Sequence, residues 1–310
     1  MISDLLTLTV LVGVLSSGIR LATPYLYASV GEMFGQRSGV LNLGVEGQML
    51  LGAFSAFFVV QRTGNLWLGT LTAMGVGALM GLAMGFVTIK LHAQQGISGI
   101  GFYLFGLGMS NLLFQLMIGT VETVKGFPKV DIPFLSKIPV IGNIFFSQNI
   151  LVYLAFLLVP IASFVLNKTN LGLKIRAVGE NPEAADSLGV SVAGVRYFTT
   201  ILGGTLSGLG GASLSIALLN VFQQNMTAGL GFIAVALVYF GGWRPWGVLI
   251  GALLFSMVNA LQLWIQVLGI PIPSEFAVMM PYILTILVLV MSVSKVRSPS
   301  ALTKPFEREG

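Results

Sequence analysis

Residues 171–196 have the sequence LGLKIRAVGENPEAADSLGVSVAGVR and form a charged segment between long apolar runs. The pattern predicts a short helix with defined ends, because Asn181 is a common N-cap residue and Pro182 suits the first helical position. Glu183 favours the first turn, and Gly189 is suited to ending the helix. A connection that only reverses the chain between two apolar segments does not need such a helix. We therefore expect a soluble partner to bind the charged segment.

The rest of the chain has the composition of an integral membrane protein. Of its 310 residues, 55% are hydrophobic and only 9% are charged, whereas soluble domains have about 25% charged residues. Several apolar runs approach or exceed the roughly 20 residues with which a helix crosses a bilayer. The expected fold is all-α and polytopic, with about nine transmembrane helices (about eight to ten). The chain has no cysteine, which excludes disulfides and thiolate metal sites.

The predicted spans form a single transmembrane domain over residues 1–310. They lie near residues 5–30, 40–60, 66–89, 97–119, 148–166, 197–220, 228–242, 246–268 and 276–293. The segment 228–242 is short for a full span, and the segment that follows Arg37 is interrupted by glycines. Short or glycine-interrupted apolar segments are typical of the discontinuous helices of transporters.

Lysine and arginine are distributed unequally between the two predicted sides of the membrane. Alternation places eleven of them on the side of the charged segment: Arg37, Lys90, Lys168, Lys174, Arg176, Arg196, Arg244, Lys295, Arg297, Lys304 and Arg308. Four fall on the opposite side: Arg62, Lys125, Lys129 and Lys137. Because cytoplasmic loops are enriched in these residues, we expect the charged segment and the C-terminus inside and the N-terminus outside. The same bias explains the net charge of +5 without a nucleic-acid partner.

The chain contains a weak internal repeat. Segments 39–90 and 229–268 each have a glycine-rich span, a short polar link and a second glycine-rich helix. The spacing of the predicted spans would make the two copies cross the membrane in opposite directions. Inverted repeats place a transport pathway between the two halves, here near 39–119 and 229–293, although two similar hairpins could also arise by chance. Residues 120–147 are predicted to form a long outer loop over an external vestibule.

Small residues recur at intervals of four and predict close helix packing. They are Gly77, Gly81 and Gly85, then Gly203, Ser207 and Gly211, and finally Gly247 with Gly251. In lipid, small residues let helix backbones approach closely. We interpret these stripes as packing surfaces rather than as binding sites.

Few polar residues fall within the predicted spans. Asn42, Glu46 and Gln48 lie in the glycine-interrupted segment, where a carboxylate must be paired or face a cavity. Structural hydrogen bonding and a place in the transport pathway are both open for these residues. Arg20 lies in the first span, where snorkelling or an ion pair is favoured over contact with a substrate.

A second polar group is predicted on the fourth span. Asn111 and Gln115 are one helical turn apart, and the aromatic residues Phe102 and Tyr103 precede them on the same helix. Amides beside aromatic rings suit a sugar or a nucleobase. Amides also hold helices together in lipid, so a structural role is equally open.

Enzymatic functions have little support in the sequence. Residues 96–99, GISG, match the GxSG pattern of intramembrane serine proteases, but that serine needs a histidine from another helix and the single histidine, His92, lies on the same connection. The chain has no GxxxxGK[ST] phosphate-binding loop. Ion-coupled carriers usually have more intramembrane carboxylates, so a secondary transporter or channel is the less favoured alternative. The pattern predicts a transport pathway whose energy source belongs to a partner.

Residues 172–196 resemble the cytoplasmic coupling loop of ABC-importer permeases of the branched-chain amino acid/ribose/simple-sugar superfamily. The matching segments are GLKIRAVGENPEAA from Gly172, GV from Gly189 and the small-residue run GGTLSGLGGA from Gly203. Two further segments, SGVLNLGVEGQMLLGAFSAFF from Ser38 and GLGFIAVALVYFGGWRPWGVLIGALLF from Gly229, are similar to the subgroup that serves nucleosides and simple sugars. The resemblance covers most of the chain and is least constrained in the outer loop and the tail.

This resemblance implies that a coupling helix binds in a groove of an ATPase subunit. The helix would comprise Asn181, Pro182, Glu183, Ala184, Ala185, Asp186, Ser187 and Leu188, within a cytoplasmic coupling loop at residues 167–196. ATP would be bound and hydrolysed by that partner, so this chain would be neither an enzyme nor a cofactor-binding protein.

The resemblance also implies the other components of the importer. They are a second, different permease subunit, an ABC ATPase with two nucleotide-binding domains and an extracytoplasmic substrate-binding lipoprotein, assembled in the cell (inner or plasma) membrane. The expected mechanism is alternating access, in which closure of the ATPase moves the coupling helices and opens the pathway outward. A nucleoside is the expected substrate, with a simple sugar or another small solute as alternatives.

Overall fold

The computed structural model describes residues 8–136, 138–268 and 297–307, together with single positions between 276 and 290. Its first four helices are α1 (Leu8–Arg37), α2 (Val45–Thr63), α3 (Leu66–Gly85) and α4 (Gln95–Met117). Helix α3 continues directly into one π-helical segment, Phe86–Lys90.

The outer loop contains the short elements β1 (Lys129–Asp131) and α5 (Ile141–Phe145), and β2 (Ser147–Asn149) follows it. Strands β1 and β2 pair antiparallel, with Lys129 opposite Asn149. The helices that follow are α6 (Ile150–Lys168), α7 (Asn170–Glu180), α8 (Pro182–Ser187), α9 (Val192–Ser213), α10 (Leu230–Phe240) and α11 (Pro245–Val267). The fold is therefore mostly helical, as expected, and the small β-ladder is a feature that the sequence did not predict.

Six helices among the described residues are long and apolar enough to cross a membrane: α1, α3, α4, α6, α9 and α11. Helix α10 is apolar but has only 11 residues, which at about 1.5 Å per residue is far shorter than a hydrocarbon core of about 30 Å. The predicted span at 276–293 lies largely outside the described residues. The structure is that of a polytopic membrane protein, and the total of about nine spans stays a prediction.

Helix α1 is longer than the sequence indicated. The first span was expected to end near residue 30, but the helix continues to Arg37 and buries Glu32 and Gln36. Polar side chains interrupt the apolar pattern here, yet tertiary contacts supply their hydrogen-bond partners. The chain then turns at Gly39, whose φ of 93° favours glycine.

Helix α9 is the central helix of the bundle. It packs against α1, α2 and α3, and 72% of its most apolar stretch is buried, compared with 22% for α4. Gly204 and Gly208 face α3 so closely that a Cβ on either would collide with the α3 backbone. The stripe predicted on α3 is therefore a packing surface, and Gly77 contacts the backbone of Gly204.

The stripe predicted on α9 packs elsewhere. Gly203 faces Gly31 of α1, and Gly211 approaches the carbonyl of Met49 in α2. Helix α9 thus has small residues on two sides, which lets three helices approach its backbone at once. The sequence predicted the stripe at Gly203, Ser207 and Gly211 but not the stripe at Gly204 and Gly208.

The charged side chains are separated between two faces of the bundle. The basic face contains Arg37, Lys90, Arg176, Arg196, Arg244 and the tail at 297–307. The loop face contains Arg62 and the outer loop, where Gln61 donates a hydrogen bond to Glu122. This grouping agrees with the alternation predicted from the sequence. The assignment of the basic face to the cytoplasm stays a prediction.

Candidate functional site

Helix α8 lies on the basic face and has both ends defined. Asn181 Oδ1 accepts a hydrogen bond from the Ala184 N–H at 3.0 Å, and Pro182 occupies the first helical position. Gly189 follows the helix with a φ of 80°. These are the capping roles that the sequence predicted.

One side of α8 is exposed and carries both polar and apolar side chains. The exposed residues in and next to the helix are Asn181, Glu183, Ala184, Ser187 and Leu188. Leu188 is 86% exposed, and Leu173 on the preceding helix is 58% exposed. A partner that covered these two leucines would remove their apolar surface from water, which is favourable.

The other side of α8 rests on the protein. Ala185 is buried, and its carbonyl accepts a hydrogen bond from the Val190 N–H at 3.0 Å. Asp186 is half-buried and lines a cleft of about 530 Å³ that also contains Lys90 and Arg196. The eight predicted coupling residues are therefore α8 and its two capping residues, Asn181 and Leu188, and their contact with an ATPase stays a prediction.

Helix α7 connects this surface to the interior. Its residues Ile175 and Val178 belong to the same buried cluster as Met33 of α1. A Cβ at Gly179 would collide with the backbone of Arg37 at the end of α1. Because this contact is backbone against backbone, α7 cannot move closer to the end of α1 without displacing it.

Glu46 lies at the centre of a second, fully buried site. It is 1% exposed, and its carboxylate accepts hydrogen bonds from Thr227 Oγ1 at 2.6 Å, the Gly229 N–H at 2.7 Å and the Gly231 N–H at 2.6 Å. The two glycine N–H groups belong to the start of α10. A carboxylate is favourable there, because the positive end of the helix dipole points toward it.

Helices α2 and α10 lead away from Glu46 toward opposite faces. Helix α2 begins beside Glu46 and ends at Thr63, close to the loop face. Helix α10 begins at Leu230 and ends at Phe240, near Trp243, whose carbonyl accepts a hydrogen bond from Arg37 Nε at 2.9 Å. The two helices are thus arranged as an inverted repeat would require, and the repeat itself stays a prediction.

Asn42 belongs to a buried network that includes a residue missed in the sequence. Its N–H donates to Glu32 Oε1 at 3.0 Å, and its side-chain oxygen accepts from the Gly44 N–H at 2.9 Å. Its Nδ2 donates to Gln48 Oε1 at 3.2 Å. The sequence placed Glu32 near the end of a span, whereas the structure buries it with 2% exposure.

The network continues across the bundle to α10. Gln36 Nε2 donates to Glu32 Oε1 at 2.9 Å, and Trp243 Nε1 donates to Gln36 Oε1 at 2.8 Å. The Trp243 ring also packs edge-on against Tyr239, with ring centroids 4.8 Å apart. Only the i, i+4 spacing of Glu32 and Gln36 could have indicated the first of these contacts.

Gln48 has spare hydrogen-bonding capacity. Its side chain is fully buried, and its Nε2 has no hydrogen-bond partner among the described residues. Unpaired buried amides are costly and are usually explained by a water, a ligand or a conformational change. Of the three polar residues predicted in this segment, Gln48 is the one whose partners the described residues do not complete.

The residues predicted on α4 are less buried. Helix α4 packs on α2 through Gly47 and Gly106, whose backbones are in close contact. Phe102 and Tyr103 are half-buried, and the Tyr103 ring lies edge-on to Phe232 of α10, with centroids 5.1 Å apart. The aromatic pair therefore lies where α4 meets the start of α10.

Asn111 and Gln115 lie further along α4 and differ in exposure. Asn111 is half-buried, and its Oδ1 is buried without a partner among the described residues. Gln115 is exposed. Any role for these two amides in a pathway stays a prediction.

Among the described residues, the structure adds no support for a metal site or for a serine protease site. In the described part of the chain, no group of three or more His, Asp or Glu side chains could hold a metal ion. His92 Nδ1 lies 3.0 Å from Glu307 Oε1 of the tail, a contact without hydrogen-bond geometry. The single histidine is thus placed beside the C-terminal tail.

An apolar helical bundle with six helices long enough to cross a membrane among the described residues defines a polytopic membrane protein. The chain belongs to the family described as the branched-chain amino acid transport system / permease component, whose profile matches residues 14–289. The match includes residues 167–196 and the hydrogen-bonded residues around Glu46 and Asn42. It also includes all six apolar helices apart from the first residues of α1.

Named relatives are similar over nearly the whole chain. TsgC13, a candidate glucose ABC transporter permease of Haloferax volcanii, is 39% identical over 96% of this chain and 98% of its own. The guanosine ABC transporter permease NupQ of Bacillus subtilis is 38% identical, over 92% and 93% respectively. The nucleoside ABC transporter permease NupC of Lactococcus lactis is 37% identical, over 90% and 92%. No solved structure gives a significant match.

Proposed function

We propose that this chain is a permease subunit of an ATP-driven ABC importer that moves nucleosides, or simple sugars, into the cell by alternating access. The observation that carries the proposal is the capped helix α8 on the basic face, with Leu188 exposed and Ala185 buried. A partner ATPase would supply the energy for transport, since the sequence of this family member has no phosphate-binding loop of the GxxxxGK[ST] type.

The names of the relatives support the substrate class. Two of the three are named for guanosine or nucleoside transport, and the third for glucose. A nucleoside contains both a sugar and an aromatic base, so amides and aromatic rings are the groups expected to contact it. We therefore keep the nucleoside as the first substrate to test and glucose as the second.

The candidate pathway residues divide into two groups by their geometry. Asn42 and Glu46 have complete hydrogen bonds within the chain and hold the starts of α2 and α10. Gln48, Tyr103 and Asn111 have unpaired polar atoms or partly exposed rings. We infer that the second group, with Phe102 and Gln115, is better placed to contact a substrate, and that the first group shapes the pathway.

The proposed assembly has four kinds of component. This chain would pair with a second, different permease, bind an ABC ATPase with two nucleotide-binding domains, and receive substrate from an extracytoplasmic lipoprotein. The basic face would be cytoplasmic, with the N-terminus outside and the C-terminus inside. The ATPase would bind and hydrolyse ATP, so this chain would need no cofactor.

The geometry supports a direct route from the ATPase to the pathway. A force on α8 would pass to α7, the helix before it. The backbone of Gly179 in α7 contacts the backbone of Arg37 at the end of α1, so α1 would receive the same force. Glu32 and Gln36 at that end of α1 bond to Asn42 and to Trp243 beside α10. Movement of α1 would therefore change the relation between α2 and α10, the two helices that begin at Glu46.

The docking proposal is tested by co-purification of the chain with its ABC ATPase, expressed together with it. Leu188→Asp should weaken the association about tenfold or more, since burying a leucine contributes about 1.5–3 kcal/mol. Val121→Asp is the matched control, because Val121 is 60% exposed on the loop face. Equal recovery of ATPase by both variants at equal permease level would refute docking at α8.

The transport proposal is tested in proteoliposomes that contain the assembled complex. ATP should drive uptake of a radiolabelled nucleoside delivered by the lipoprotein. Uptake by this chain without any ATPase would contradict the proposal and would favour a secondary transporter.

A further inference from the structure

The described part of the C-terminal tail, residues 297–307, is tied to three separate elements on the basic face. The Ala301 N–H donates to the Gly179 carbonyl at 2.9 Å, and the Thr303 N–H donates to the Gly39 carbonyl at 3.1 Å. Ser300 Oγ donates to Glu180 Oε2 at 3.1 Å. The tail therefore joins the end of α7 to the turn between α1 and α2.

Apolar side chains anchor the tail between these bonds. Ala301 is 4% exposed, and Leu302 and Phe306 pack against the main buried cluster. A segment held only by polar contacts at the protein surface would leave these apolar side chains in water. The tail is thus packed as an integral part of the basic face.

Arg196 is the third attachment and lies at the centre of the arrangement. It is 3% exposed at the start of α9. Its Nε donates to the Ser38 carbonyl at 3.2 Å, and its Nη1 donates to the Lys304 carbonyl at 3.1 Å. A guanidinium can bridge two carbonyls in this way because its donors lie in a fixed plane, whereas a lysine ammonium is a single point charge.

The side chain of Ser38 extends the same connection. Its hydroxyl lies 2.7 Å from Thr199 Oγ1 of α9 and also bonds to the Gly35 carbonyl at 2.8 Å. One cluster of bonds therefore links the tail, the first turns of α9 and the turn that leads to Asn42. The tail thus contacts α7, which precedes α8 in the chain, and α9, which follows α8.

We propose that Arg196 and residues 297–307 form a strap that positions the coupling loop against the turn at residues 38–42, so that movement of α8 is transmitted to the buried polar groups. The inference rests on the proposed function, because it assigns a role in coupling. The contact at Gly179 resists only closer approach, so without the strap α7 and α8 could move away from the turn when the ATPase changes state while the turn stayed in place. ATP would then be hydrolysed with less transport.

The contact is tested first by cross-linking in the assembled complex. The chain has no cysteine, so Glu180→Cys with Ser300→Cys supplies the only thiols in this subunit. A short thiol-specific cross-linker should join the pair in membranes, and uptake should persist after cross-linking because the strap stays in place during transport. Absence of the cross-link, or loss of uptake caused by it, would overturn the proposal.

The role in coupling is tested by the number of ATP molecules hydrolysed per substrate imported. Arg196→Gln should raise this ratio about tenfold, the change expected for losing hydrogen bonds from a charged group, and a chain ending at Ser298 should do the same. Arg196→Lys should restore the ratio only in part. Lys304→Ala is the control, because the strap uses the backbone carbonyl of Lys304 and not its side chain.

The outcomes separate this inference from the proposed function. If the unmodified complex shows no ATP-driven uptake, the proposed function fails. If the unmodified complex transports and Arg196→Gln and the shortened chain assemble with an unchanged ratio, the strap fails alone. Loss of the shortened chain from membranes leaves the decision to Arg196→Gln, whose assembly is checked by co-purification.

Discussion

Replacing Glu46 by alanine removes the acceptor for three buried donors. Thr227 Oγ1 and the N–H groups of Gly229 and Gly231 lie 2.6–2.7 Å from the carboxylate. Each buried donor left without a partner costs about 1–3 kcal/mol, so the loss is at least about 3 kcal/mol. Because folded proteins are stable by only about 5–15 kcal/mol, this is a large fraction of the total.

The effect is measured as the unfolding temperature of the detergent-solubilised chain, followed by fluorescence-detected size-exclusion chromatography after heating. A loss of about 3 kcal/mol corresponds to a decrease of about 5 °C, because an unfolding entropy of about 2.1 cal/mol/K per residue is about 0.65 kcal/mol/K for 310 residues. Glu46→Gln should give an intermediate decrease, because its amide keeps one acceptor oxygen but turns an NH₂ toward the donors. Glu183→Ala is the control, because Glu183 is exposed and should change the temperature little.

Two results would refute this reasoning in different ways. An unfolding temperature for Glu46→Ala equal to that of the unmodified chain would show that the three hydrogen bonds contribute nothing. Unchanged stability together with abolished uptake would show that Glu46 acts in the pathway and not as the structural acceptor between α2 and α10.

Three further predictions concern packing and capping. Asn181→Ala should destabilise α8 by about 1 kcal/mol, measured as faster amide hydrogen exchange in residues 183–187 at an unchanged global unfolding temperature. Gly204→Leu should prevent folding because α9 and α3 are in backbone contact there, whereas Gly101→Leu, in open space on α4, should fold normally in the same expression assay. Trp243→Phe should lower stability by about 1 kcal/mol, because the bond to Gln36 is lost while the ring stays packed, and an unchanged unfolding temperature would contradict the network.

The capped helix α8 was predictable because its determinants are adjacent in the chain. Asn181, Pro182 and Gly189 act within one or two helical turns, so their identities alone define where α8 begins and ends. The mostly helical, membrane-embedded class followed in the same way from apolar runs, since hydrocarbon requires the backbone to bond within each segment. The short α10 was also expected from its length.

The network around Glu32 was not predictable. A carboxylate near the end of an apolar run resembles a loop residue, and its burial depends on Asn42 and Gln36 reaching it from a turn and from the same helix. The second stripe on α9 was missed for a related reason. A helix rich in glycine offers several faces, and only its neighbours decide which face each one contacts.

The sequence by itself determined the membrane setting, the segregation of charge and the capped helix on the basic face, because hydropathy, loop charge and capping are local properties of the chain. The tertiary structure decided which distant groups meet. Thr227 reaches Glu46 across 181 residues, Trp243 reaches Gln36 across 207, and the tail reaches Arg196 across 108. Such pairings depend on how the helices pack, and the amino-acid pattern of each segment is compatible with many partners.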